Sequence, residues 1–286
     1  MAGKNSIYKK VKPLLKIEDM FNLSNRVVLI TGGAGKMGQH FAISLGLAGA
    51  NVILADTNPR IADAIADSVS RISGRRALGI RCEISNQKQV KDLFKRIKKE
   101  FGKLDVLINN AMAKPKRYYA PIDKYPPDVW KQVCDTNLMG TFLCCREAFK
   151  LMKEGGSIII TSSTYGVVSP DQRIYKKSAK KKNIYGGRYS LNTPAVYSTT
   201  KAGLINLARH LATIFADKGI RVNAFTPGGV YDGQDESFHE NYVKRTPLAR
   251  MAVWSDYTGP IIFLSSDASR YMTGANLIVD GGWTAW

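Results

Sequence analysis

The sequence predicts a single α/β domain: a doubly wound, seven-stranded parallel sheet with helices on both faces. Three observations carry that expectation. Short apolar runs recur along the chain, segments with apolar residues at three- and four-residue intervals separate them, and a glycine-rich turn follows the first run. Arg26 to Thr31 (RVVLIT) reads as the first strand, apolar enough to be buried on both faces. Asn51 to Asp56, Ala77 to Cys82, Leu104 to Asn109, Gly156 to Thr161, Ile220 to Phe225 and Ala275 to Asp280 follow as strands. Gln39 to Gly49, Ile61 to Ile72, Gln87 to Phe101, Trp130 to Met152 and Val196 to Lys218 carry the helical period between them. Strand–helix–strand repetition of this kind builds a parallel sheet with right-handed crossovers. No linker or repeat interrupts it. The chain therefore divides into a basic arm over residues 1–20 and one domain over 21–286.

Composition narrows the class. With 286 residues, 44% of them hydrophobic and 23% charged, the chain has the makings of a globular protein with a substantial core. No stretch approaches the roughly 20 consecutive apolar residues of a membrane helix. Met1 to Lys16 is basic but has neither the apolar centre nor the cleavage site of a signal peptide. A cytoplasmic protein is expected, with no membrane partner. Cys82, Cys134, Cys144 and Cys145 lack metal-ligand spacing, so reduced thiols and no metal site are expected. The net charge of +19 fits a nucleic acid, a membrane surface or an anionic substrate as partner. It fits equally a solvated, lysine-rich surface, because some of the excess is spread over helices such as Lys88 to Lys99.

The turn after the first strand is Thr31-Gly32-Gly33-Ala34-Gly35-Lys36-Met37-Gly38. Glycines at a strand-to-helix junction let backbone N–H groups approach a pyrophosphate, and the positive end of the helix adds attraction. Alone, such a turn is weak evidence. Asp56 strengthens it: it ends the second strand, 24 residues after Gly32, where a carboxylate can accept hydrogen bonds from an adenosine ribose. The same carboxylate repels a 2′-phosphate and favours NAD over NADP. Lys36 is the counter-signal, since its ammonium can pair with that phosphate.

Tyr197-Ser198-Thr199-Thr200-Lys201 opens the last long helix and puts Tyr197 and Lys201 on one face, a turn apart. A tyrosine titrates near pKa ~10 and is a poor base at neutral pH. A neighbouring ammonium favours the phenolate and tunes it for proton exchange with a carbinol or carbonyl oxygen. By itself this spacing is equally an ordinary amphipathic helix with an exposed lysine.

The surrounding motifs decide between the two. Over roughly Met20 to Trp283 the chain resembles the short-chain dehydrogenase/reductase family, which has a Rossmann-type fold. The matching segments, in order, are the glycine loop, Asn109-Asn110-Ala111, Thr136-Asn137-Leu138-Met139-Gly140, Ser162-Ser163-Thr164-Tyr165-Gly166, Pro227-Gly228, and Thr273-Gly274 through Gly282. The resemblance implies that Tyr197 is the general acid/base and that Lys201 lowers its pKa and bonds the nicotinamide ribose. It implies that Ser163 hydrogen-bonds the substrate oxygen and that Asn137 holds a water in a relay to Lys201. It also implies a cofactor site made by Gly32, Ala34, Gly35, Lys36, Met37 and Gly38, by Asp56 and Thr57, and by Cys82, Glu83 and Ile84 against adenine. Asn110, Ala111, Tyr197, Lys201, Pro227, Gly228 and Val230 complete that site. The expected cofactor is NAD, with NADP as the alternative, and the expected assembly a homotetramer, or a homodimer.

Several positions depart from the family pattern. Lys36 stands where glycine is frequent, Glu83 replaces an aspartate, Met112 replaces the glycine of Asn-Asn-Ala-Gly, and Asp232 lies where a threonine commonly meets the nicotinamide carboxamide. The largest departure is length: Ser163 and Tyr197 are separated by an insertion over 169–191. It holds Arg173, Lys176, Lys177, Lys180, Lys181, Lys182 and Arg188, interleaved with Tyr175, Tyr185 and Tyr189. Long loops that begin and end at an active site often form its lid. The insertion is expected to bind an anionic substrate such as a phosphorylated sugar, the plain alternative being a solvated excursion. Pro227 to Met251 resembles a subset of the family found in bacterial surface-sugar pathways, including flagellin modification and nonulosonic acid synthesis.

The expected activity is therefore hydride transfer between a nicotinamide cofactor and a secondary alcohol or ketone of a sugar or anionic sugar derivative. Competing readings are a nucleic-acid or anionic-surface binding protein on the same scaffold, favoured by the charge and the Lys/Tyr insertion, and a catalytically silent NAD sensor. Neither has a use for Asn137, Ser163, Tyr197 and Lys201 together, so nucleic acid is not the expected partner.

Overall fold

The computed structural model describes residues 16–152, 155–176, 183 and 189–286. Its centre is β1 (Val27–Thr31), in which every residue is buried, as an uninterrupted apolar run requires. Around it lie β2 (Asn51–Asp56), β3 (Ala77–Arg81), β4 (Val106–Asn109), β5 (Gly156–Thr161), β6 (Ile220–Pro227) and β7 (Asn276–Val279). The sheet order is β3-β2-β1-β4-β5-β6-β7, and every neighbouring pair is parallel. The seven-stranded Rossmann-type fold expected from the sequence is the fold observed.

Alternate strand residues feed two cores. On one face Val28, Ile30, Val52 and Leu54 meet α2 (Lys36–Leu47), α3 (Pro59–Ser73) and α9 (Thr258–Ser265). On the other, Leu29, Ile53, Ile158 and Val222 meet α4 (Gln87–Phe101), α6 (Thr141–Leu151) and α7 (Ala195–Phe215). Short-range chemistry fixes the helix ends. The Asn58 side chain accepts the Ile61 N–H at the start of α3, and Gly74 closes that helix in the left-handed conformation. Asn86 and Gly102 do the same for α4.

The long central helix expected over Trp130–Met152 is not uniform. It comprises α5 (Pro127–Cys134) and α6, joined by a π-helical turn over Asp135–Gly140 that contains Asn137. Such widened turns often mark functional positions. The sequence pattern also passes over α1 (Ile17–Phe21), α8 (Glu236–Val243) and α9. α1 and α8 are short. α9, TGPIIFLS, is apolar on nearly all sides and so carries no helical period.

Candidate active site

The carboxyl ends of β1, β4, β5 and β6 face one cleft of about 490 Å³, at the point where the strand order reverses between β1 and β4. Its floor is backbone. Gly32 has φ +65°, and a Cβ there would stand 2.7 Å from the Ala111 Cα. A Cβ on Gly38 would overlap the Gly32 carbonyl oxygen. The buried Thr31 hydroxyl accepts the N–H groups of Asn110 (3.1 Å) and Ala111 (3.2 Å), and the Asn110 amide donates to the Thr31 and Gly32 carbonyls. β1 and β4 are thus locked together beneath the site. The residue preceding α2 is Gly35, and no side chain caps the helix. A helix start of this kind, with orphan N–H groups and no Cβ in the way, fits a dinucleotide pyrophosphate. Asp56 is aimed from the end of β2, its carboxylate accepting the N–H groups of Ala34 (3.0 Å) and Asn58 (2.9 Å).

Two departures from the family pattern meet here. Lys36 Nζ lies 2.6 Å from both Asp232 carboxylate oxygens, so the lysine in the glycine slot and the aspartate in the threonine slot pair with each other.

On the opposite side, α7 presents Tyr197 and Lys201 one turn apart, the ammonium 5.8 Å from the tyrosine ring centroid. Lys201 is buried. Its Nζ donates to the Thr161 carbonyl (2.8 Å), and the Ser162 hydroxyl donates to the Lys201 carbonyl (2.8 Å). β5 and α7 are therefore fastened twice. Burial lowers the Lys201 pKa to about 8, helped by repulsion from Lys114. Ser163, just after β5, lines the same cleft as Tyr197 and accepts the Tyr165 N–H (3.2 Å). The Asn137 side chain accepts the Ala113 N–H (3.1 Å) and donates to the Thr200 hydroxyl (3.1 Å). It ties the post-β4 loop to α7.

The cofactor residues expected from the sequence line this cleft except Ala34, Gly38, Thr57, Cys82, Glu83 and Ile84. Cys82 and Ile84 are buried, and Ile84 abuts Gly140. Glu83 accepts the Ser85 hydroxyl at 2.9 Å. Sequence patterns missed Lys114, Tyr118, Tyr119, Asn192 and Gln234, which also line the cleft. Lys114 sits in a Lys-Pro-Lys-Arg run that reads like any solvated loop.

The insertion is partly described. Lys177, Lys180, Lys181, Lys182, Tyr185 and Arg188 lie outside the described residues. Tyr175 is buried, its ring stacked 5.3 Å from Phe238 of α8 and its hydroxyl 2.7 Å from Thr193 Oγ1. The Arg173 guanidinium donates to Asp171 at 2.9 Å, and Arg245 pairs with the same carboxylate. Of the described part of the insertion, Tyr175 and Leu191 line the cleft, while Arg173 and Lys176 are exposed. Cys82, Cys134, Cys144 and Cys145 are all free thiols, and no metal-ligand cluster occurs among the described residues.

Known proteins share this architecture. Residues 26–181 match the family model described as short chain dehydrogenase, and residues 182–284 match one described as Enoyl-(Acyl carrier protein) reductase. A 2-dehydro-3-deoxy-D-gluconate 5-dehydrogenase of Pseudoalteromonas atlantica is 30% identical over 273 residues, covering 93% of this chain and 98% of its own. A short chain dehydrogenase from Leptospira borgpetersenii, solved with bound NAD+, superposes with a TM-score of 0.80 at 34% identity, covering 96% and 97% of the two chains. A gluconate 5-dehydrogenase from Burkholderia cenocepacia, solved with NADP and tartrate, gives 0.82 at 28% identity, covering 95% and 100%. The glycine floor, the Tyr197–Lys201 helix and this end-to-end likeness lead to one conclusion: the chain belongs to the short-chain dehydrogenase/reductase family and is an oxidoreductase acting on CH–OH groups.

Proposed function

We propose that this enzyme oxidises a secondary hydroxyl of a sugar or polyol derivative to the ketone, or runs the reverse reduction, with Tyr197 as general acid/base. The observation that carries the reading is the burial of Lys201 one turn from Tyr197, in the cleft that Ser163 also lines. A bound nicotinamide supplies the hydride acceptor. Tyr197 takes the hydroxyl proton as the substrate C–H bond gives up its hydride, and the carbonyl forms. Lys201 holds positive charge beside the phenolic oxygen, and Ser163 donates to the substrate oxygen as its charge changes. Asn137 acts on the same chemistry indirectly, by fastening the loop and helix that carry it.

Asp56 supports NAD as the preferred cofactor, since a ribose 2′-phosphate would meet its charge. The sugar-acid names of two of the similar proteins support a hydroxyl-rich substrate. The same reading includes a cytoplasmic homotetramer. Met139 and Phe142 on the central helix, and Ile278 and Trp286 near the β7 edge, are exposed apolar surface that neighbouring copies would cover.

Tyr197→Phe tests the core of this. Turnover of a panel of polyols and sugar acids, followed by NADH absorbance with NAD and NADP in parallel, is expected to fall at least ~10³-fold. NADH binding, followed by fluorescence, should stay within a few-fold of the parent. Retained turnover in Tyr197→Phe would sink the assignment.

A further inference from the structure

Lys114 belongs to none of the motifs that mark the family, yet the fold takes trouble to place it. It follows β4 in the loop whose Ala113 N–H is held by Asn137 Oδ1 at 3.1 Å. Two turns shape the next residues, closed by Tyr118 N–H to the Pro115 carbonyl (3.0 Å) and Ala120 N–H to the Arg117 carbonyl (2.9 Å). The Asn192 side chain then donates to the Tyr119 carbonyl at 2.8 Å, joining this loop to the stretch that leads into α7. Lys114, Tyr118, Tyr119 and Asn192 form one wall of the cleft that holds Ser163 and Tyr197.

The electrostatics of that wall favour an anion. Lys114 is exposed to solvent, although the surrounding protein partly desolvates it. Desolvation lowers its pKa below the usual lysine value, and Asp232 works in the opposite direction. Lys114 in turn repels the Lys201 ammonium. Asp232 also pairs with Lys36, at 2.6 Å. A negative group placed at the wall relieves the Lys114–Lys201 repulsion, and does so most strongly in a cleft partly screened from water. The other named groups of this wall, Tyr118, Tyr119 and Asn192, are neutral. Among the described residues, Lys36, Lys114 and Lys201 stand against Asp56 and Asp232 around the cleft, a surplus of one positive charge that one carboxylate offsets.

We propose that Lys114 Nζ binds a carboxylate of the substrate, making the preferred substrate class polyhydroxy acids rather than the neutral polyols of the same skeleton. The assignment rests on the reading of Tyr197 and Ser163 as the groups that take the reacting hydroxyl. Lys114 is a specificity residue in this scheme, placed through the Asn137–Ala113 bond.

The test is calorimetric titration of the NADH-loaded enzyme with four- to six-carbon aldonates and the matching alditols. The parent enzyme should bind at least one aldonate about tenfold or more tighter than its alditol. Lys114→Gln should bring that ratio close to one, and Lys114→Arg should preserve most of it. Because the ratio compares two ligands on one protein, a general distortion of the cleft moves both affinities and leaves the ratio alone. A ratio near one in the parent, a ratio unchanged in Lys114→Gln, or no binding of any aldonate overturns the proposal. Turnover separates it from the underlying assignment. If aldonates bind through Lys114 but none is oxidised, the catalytic reading fails and the carboxylate site stands.

Discussion

The floor and the wall of the cleft are held in place by different means. On the floor, Thr31, Gly32, Asn110 and Ala111 are joined by hydrogen bonds between backbone groups and short side chains at the ends of adjacent strands. The determining fact there is the absence of side-chain atoms. On the wall, Lys114, Tyr119, Tyr175 and Asn192 come from loops far apart in sequence and are held by long side chains, as in the Asn192–Tyr119 bond across 73 residues. A floor made by exclusion tolerates no added atom. A wall made by contacts can lose one of them and keep its shape.

Substitution should expose that difference. Gly38→Ala puts a Cβ onto the Gly32 carbonyl and 2.9 Å from the Gly33 Cα, both backbone, so the loop itself must move. Overpacking of this sort costs ~1–3 kcal/mol or more, and it displaces the cradle expected to meet the pyrophosphate. NADH affinity is expected to fall by ~100-fold, with a lower Tm. Asn192→Ala, by contrast, removes a partly buried hydrogen bond to Tyr119, worth ~1 kcal/mol, and an exposed one to Ser190. It should leave NADH affinity within about threefold while raising the substrate KM. Similar losses of NADH affinity in the two variants would erase the distinction between floor and wall.

The same distinction explains how much of the protein was legible in its sequence. Glycine spacing and apolar strand runs record local backbone constraints, so the sheet, the helices with an apolar period and the floor could be read directly. So could Tyr197 and Lys201, whose juxtaposition is set by a helical turn. Lys114 could not, because only the tertiary contact of Ala113 with Asn137 distinguishes it from Lys116 two residues on. The Lys36–Asp232 pair was equally hidden. Each residue looked like an isolated departure, and only folding brings positions 36 and 232 together. The basic insertion is legible only in part: Arg173 and Arg245 both pair with Asp171, which no charge pattern in the sequence foretells.

Charge carries the wall's influence to Lys201 and, through it, to Tyr197. Lys201 titrates at about 8 because burial and Lys114 both disfavour its ammonium. A lowered pKa means that the positive charge is present below about pH 8 and lost as pH rises through that value. If Tyr197 needs that charge, kcat/KM for the cofactor, which reports the free enzyme, should decline above about pH 8. Lys114→Gln removes the repulsion, so the alkaline limb should move to higher pH. A limb that stays in place would mean that burial alone sets Lys201 and that the wall is electrostatically silent there.

The smallest effect is expected where floor and wall touch. Lys36 is largely solvent-exposed, 65% by side chain, although Asp232 is only 19% exposed. Screening therefore limits the pair to less than ~1 kcal/mol of stability, and Asp232→Asn should lower the Tm by no more than a few degrees. Its larger consequence concerns the ligand. Asp232 occupies an ammonium that stands at the first residue of α2, beside the expected pyrophosphate site. Freeing Lys36 should tighten binding of the anionic dinucleotide, more for NADP with its extra phosphate than for NAD, and added salt should erode the gain. Titration of Asp232→Asn with both cofactors at low and high salt measures this. Tighter NADP binding would show that Asp232 helps Asp56 hold the enzyme to NAD by keeping Lys36 away from the phosphate. Unchanged affinities would mean that Lys36 points past the cofactor and only clips the rim of the wall to the floor.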